Sequence, residues 1–173
     1  EKKIQNRTMI SSMKYKKYNR QLLLSNGLFA IVLWIFYVIL SFILLGEVMF
    51  TMHGLVYILN SLIFTLCALT IAFVIGNSIK NKNAVNGIVN VVALGSSFLC
   101  GAFVPMELLP DFVLKIAHIL PSYWYIKTNE ILKTTEIINL DTIMPILINI
   151  GIVFCFTIVF AFISNIMAKK KST

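Results

Sequence analysis

The side chains able to make or break covalent bonds are few and scattered. The two histidines, His53 and His118, are not accompanied by a nucleophile, base or metal ligand that could converge with them. Cys67, Cys100 and Cys155 show no CxxC pairing and no nearby His to complete a metal site. HExxH, GxSxG and Gly-rich phosphate-loop patterns are also missing. The chain therefore reads as carrying no catalytic residue, no metal and no cofactor of its own.

What remains with chemical character is amide. Asn60, Asn86, Asn90 and Asn149 sit inside long apolar runs. In hydrocarbon each must find a hydrogen-bond partner on a neighbouring helix or in a wet cavity. Two roles are open to them: joining helices, or lining a polar path.

The elements that must position these amides follow from hydropathy. The chain is 58% hydrophobic and 13% charged, with a mean hydropathy of +0.87. A soluble domain is about 45–50% apolar and about 25% charged. Four runs are long enough to cross about 30 Å of hydrocarbon: residues 22–45, 55–79, 84–104 and 142–168. None contains Asp, Glu, Lys, Arg or His, so the carboxylate that usually drives a proton- or sodium-coupled carrier is missing from the spans. The expected fold is all-α and polytopic, with four transmembrane helices.

A net charge of +8 would suggest nucleic acid in a soluble protein, but its distribution points to a membrane. Lys2, Lys3, Arg7, Lys14, Lys16, Lys17 and Arg20 precede the first span. Lys80 and Lys82 lie between the second and third, and Lys169, Lys170 and Lys171 follow the fourth. The intervening loops hold Glu47, Glu107, Asp111, Glu130, Glu136 and Asp141. The positive-inside rule then predicts a multi-pass protein of the cell membrane with both ends cytoplasmic.

Residues 1–21 read as a cytoplasmic connecting segment and 22–173 as the membrane domain. The segment opens on Glu1, and its first twenty residues are basic and polar without a signal peptide's apolar core, which reads as the middle of a longer protein. Ile4, Met9, Ile10 and Met13 are interleaved with its cations. Such a surface suits anionic lipid headgroups or a docked protein.

The third span carries Asn86, Asn90, Ser97 and Gly101, and Ala93, Ser97 and Gly101 recur at four-residue intervals where another helix backbone could approach. Pro105 and Pro110 are expected to stop this helix. Asp111 is a good N-cap for a short apolar stretch that Pro121 ends, and a second short helix is expected from Ser122 to about Lys133. With the aromatic run Tyr123, Trp124 and Tyr125, residues 111–134 read as a pair of interfacial or re-entrant helices.

The run Gly101-Ala102-Phe103-Val104-Pro105-Met106-Glu107-Leu108-Leu109-Pro110, followed by Leu120-Pro121-Ser122-Tyr123-Trp124-Tyr125, resembles the membrane subunits of type 2 ABC transporters. There a Gly-x-x-x-Pro-x-x-x-x-Pro element ends the fifth helix and a Leu-Pro-aromatic element precedes the sixth. The resemblance implies that the four spans are the third to sixth helices of a six-helix permease. It implies pairing with a second permease subunit, identical or related, and with cytoplasmic ATPase subunits that bind ATP. It also implies export of an amphiphile such as a drug, an antimicrobial peptide or a lipid. On this reading Arg7, Thr8, Ser11 and Lys14 are candidates for docking the ATPase. Asn60, Asn86, Asn90, Ser97 and Gly101 are candidates for the path or for helix packing, and Pro105, Pro110 and Pro121 for the re-entrant break. The competing expectation is a non-transporting four-helix anchor, immunity or sensor protein.

Overall fold

The computed structural model describes residues 15–79 and 81–170. The candidates Arg7, Thr8, Ser11 and Lys14 lie outside them. Among the described residues there are six α-helices and no strand.

Helix α1 (Tyr15–Leu45) and helix α2 (Met52–Ser78) are joined by one 3-10 turn, Gly46–Phe50. Gly46 enters this turn at φ +55°, a left-handed conformation that glycine adopts without a Cβ clash. Thr51 is extended and its hydroxyl donates to the Val48 carbonyl at 2.7 Å, so α2 starts as a new helix. Helix α3 (Lys82–Leu99) follows α2 closely, and Asn81 caps it by accepting from the Asn83 backbone N–H at 3.0 Å.

Beyond α3 come a 3-10 turn at Met106–Leu108, helix α4 (Asp111–Ala117), helix α5 (Pro121–Thr134) and helix α6 (Leu140–Lys170). Pro145 removes one backbone donor early in α6, yet the helix continues through it.

Among the described residues three helical stretches are long and apolar enough to cross a membrane: Leu24–Phe50, Met52–Ser78 and Leu140–Ala168. The third expected span is shorter. Its apolar helix covers Asn83–Leu99, and at 1.5 Å per residue the 18 residues of α3 rise about 27 Å.

The interior is built on α2 and α6, which run side by side in the same direction. Val56, Tyr57 and Ile63 of α2 pack near Ile146 and Ile150 of α6. Further along both helices, Asn77 Nδ2 donates to Ser164 Oγ at 3.2 Å. Helix α5 lies across this pair, with Leu132 buried against the same isoleucines. Helix α1 leans on α2, where the Trp34 indole donates to Ser61 Oγ at 3.0 Å. Its other faces are open: Leu28, Phe36 and Ile43 are exposed, as suits a helix surrounded by lipid tails.

Candidate functional site

The break after α3 begins earlier than the proline spacing predicts. Helix α3 stops at Leu99, five residues short of Val104, and the turn is made by Gly101 at φ +97°. The Ala102 and Phe103 amides fold back onto the Ser97 carbonyl, at 3.1 and 3.3 Å. A Cβ at Gly101 would come within 2.6 Å of Met106 Cγ, so both the backbone and its neighbour demand glycine here.

The prolines start helices. Pro105 precedes the 3-10 turn, Pro110 is the N-cap of α4, and Pro121 opens α5 at its first turn, where a missing N–H costs nothing. Asp111 is the first residue of α4 rather than its cap; Pro110 occupies the cap position expected for it.

These short elements close on themselves. Cys100, Ala117 and Tyr123 are buried together, and Met106, Leu114 and Trp124 pack around them. The His118 ring lies 4.1 Å from the Tyr123 ring, and the Trp124 indole donates to the His118 carbonyl at 3.0 Å. Lys127 Nζ stands 5.6 Å from the Tyr123 ring centre and 5.5 Å from that of Trp124. Each such cation–π contact contributes on the order of 0.5–1 kcal/mol at an exposed site.

Helix α5 is held to α2 along its length, in antiparallel order. Near its start, Tyr125 stacks on Phe64 with ring centres 4.3 Å apart and planes at 12°. One turn on, Asn60 Nδ2 donates to the Tyr125 carbonyl at 3.1 Å and to Asn129 Oδ1 at 2.9 Å. The Tyr57 hydroxyl donates to the Asn129 carbonyl at 3.2 Å. Just past the end of α5, His53 Nε2 lies 2.9 Å from the Thr135 carbonyl.

The depth of the pair follows from these contacts. Phe64 comes 12 residues after Met52, about 18 Å along a helix of about 40 Å. The start of α5 therefore reaches close to the middle of α2 and its end returns to the α2 start. The helix pair thus reaches back along the first half of α2, the geometry that a re-entrant hairpin requires. Backbone that is irregular at such depth is tolerated only inside protein or beside water, and the turn at Cys100 and Gly101 meets that demand by packing on Tyr123 and Met106.

The chain matches the family model described as ABC-2 family transporter protein over residues 1–166. The chain belongs to the ABC-2 transporter family. It is thus an ABC transporter permease, a multi-pass membrane component whose family associates with an ABC ATPase. That sets aside the anchor, immunity or sensor reading. No curated protein and no solved structure gives a match.

Within this ABC-2 permease the expected path residues divide into two groups. Asn60 is fully buried and belongs to the α5 attachment. Asn86 and Asn90 are exposed on α3, on the stripe that continues through Ala93 to half-buried Ser97, whose hydroxyl donates to the Ala93 carbonyl at 2.8 Å. The small-residue face that Ala93, Ser97 and Gly101 were expected to form is left uncovered at Ala93, and Gly101 lies beyond the helix. Tyr57 and Asn129 were not singled out by sequence reading, and Tyr125 only as part of an aromatic run. The available signal was the placement of Tyr57, Asn60 and Phe64 on one face of α2, matched by Tyr125 and Asn129 one turn apart on α5.

A cavity of about 150 Å³ lies beside this attachment, between α1 and α2, with Ser41, Met49, Tyr57, Ser61 and Tyr125 in its wall. Among the described residues no three His, Cys, Asp or Glu side chains gather to hold a metal ion.

Proposed function

We propose that this chain is the permease part of an ATP-driven exporter of an amphiphilic substrate, and that the α4–α5 hairpin is its gate on the outer side. The observation that supports the reading is the reach of α5 to the middle of α2, where the Asn60 amide holds it at two points. Broken helices at membrane depth are how transporters place a movable polar element inside the bilayer. The attachment is made of a few hydrogen bonds and one aromatic stack, each worth about 1 kcal/mol. ATP-driven movement of a partner is large enough to open it.

In this reading both termini are cytoplasmic, as the basic clusters predict, and the hairpin faces outward. Arg7, Thr8, Ser11 and Lys14 belong to the surface that docks the ATPase, where ATP is bound. A second permease subunit faces the exposed Asn86 and Asn90 stripe of α3, and the path runs between the two. The substrate enters from the lipid side, in keeping with the apolar exteriors of α1 and α6.

The test is export of a fluorescent amphiphilic dye by cells carrying the complete transporter, compared with cells whose partner ATPase is catalytically inactive. Dye retention with the inactive ATPase is expected. Unchanged export, together with failure of any ATPase subunit to co-purify, would overturn the proposal.

A further inference from the structure

Two buried amides each keep one atom without a hydrogen-bond partner among the described residues: Asn60 Oδ1 and Asn149 Nδ2. One is an acceptor and the other a donor. Asn60 is fully buried and Asn149 is 4% exposed, so neither orphan can turn to the membrane surface. Leaving a buried polar atom unpaired is unfavourable, so two on one seam call for a shared partner.

Their placement puts them on that one seam. On α2, Asn60 lies between Tyr57 and Ile63, both packed near Ile146 and Ile150. On α6, Asn149 adjoins Ile150 and lies one turn from Ile146 and Val153, all buried. The two helices run in the same direction, and Asn77 bonds Ser164 at a sequence offset of 87. Asn60 and Asn149 differ by nearly the same offset, and therefore stand at the same depth.

We infer that a single buried water molecule is bound between them. The Asn149 Nδ2–H donates to the water oxygen, and the water donates to Asn60 Oδ1. A water needs two to four polar partners to be held in an interior, and these two atoms supply one of each kind beside Tyr57, Ile146 and Ile150. The site extends the α5 attachment: α6 is tied through Asn149 and the water to Asn60, whose other amide atom already holds Tyr125 and Asn129. Its effect on opening rests on the gate reading above; the water site itself does not.

The sign of a stability change decides the matter without any transport assay. Asn149→Leu removes the orphan donor and keeps the branched outline of the side chain, at a larger volume. If the water is bound, the change strands Asn60 Oδ1 and lowers the melting temperature of the purified complex by a few degrees. In an Asn60→Leu background the same change should have no further destabilising effect. A rise or no change on Asn149→Leu, or full additivity of the two substitutions, would overturn the site. A density map of the unmodified complex serves where a variant does not fold: a solvent peak within hydrogen-bond distance of both Asn60 Oδ1 and Asn149 Nδ2 supports the site. An empty seam, or a direct contact between the two amides, contradicts it.

Discussion

The Tyr125 ring lies nearly flat on the Phe64 ring, 4.3 Å between centres, although the two residues belong to helices of very different length. Phe64 is near the middle of a helix of 27 residues and Tyr125 near the start of one of 14. This stack sets how far the hairpin descends. Its energy should be visible as a coupling: Phe64→Ala and Tyr125→Ala together are expected to be less destabilising than the sum of the two, by about 0.5–1.5 kcal/mol. Chemical or thermal unfolding of the purified complex in detergent measures this, and additive effects would mean that the stack contributes nothing of its own.

Asn60→Leu should unfasten α5 from α2. Two hydrogen bonds are lost and Asn129 Oδ1 is left without its donor, an expected loss of about 1–3 kcal/mol. Proteolysis at the segment between α5 and α6 should accelerate in the variant, as read by gel after brief protease exposure. Unchanged cleavage would show that the amide is a bystander.

Asn86→Leu with Asn90→Leu should behave in the opposite way. Both side chains are exposed on α3, so the thermal stability of the chain outside an assembly should stay within about 0.5 kcal/mol of the original. Dye export should fall severalfold, because the proposed path between two subunits loses its polar wall. Full export in the double variant would remove α3 from the path.

Gly101→Ala carries two separable effects. The left-handed backbone adds about 1–2 kcal/mol of strain, and the new methyl group meets Met106. Adding Met106→Ala should relieve the clash and leave the backbone strain, so stability recovers only in part. Complete recovery would mean that φ at residue 101 is free to change.

Much of this architecture was legible in the order of residues, for physical reasons. Helix α6 extends two residues beyond each expected end, and α5 one residue beyond each of its own, because apolar run length and proline positions are local signals. The end of α3 was not legible. Leu99, Phe103 and Val104 continue an apolar run through the break, and the left-handed turn at Gly101 does not interrupt hydropathy. Nor could the role of Asn60 be told from that of Asn86 or Asn90. All three are amides in apolar surroundings, and only the fold brings Asn129 to Asn60, across 69 residues. The choice between an interfacial and a re-entrant pair rested on the same long-range contacts.

Cross-linking between Phe64→Cys and Tyr125→Cys tests the re-entrant depth most directly. The complete complex would be kept in native membranes, with Cys67, Cys100 and Cys155 replaced by Ala, and treated with a short bifunctional thiol reagent. The pair Phe64→Cys and Tyr125→Cys should link efficiently, while the control pair His53→Cys and Tyr125→Cys should not. Linking of the His53 pair in place of the Phe64 pair would place the start of α5 at the membrane surface and contradict the account.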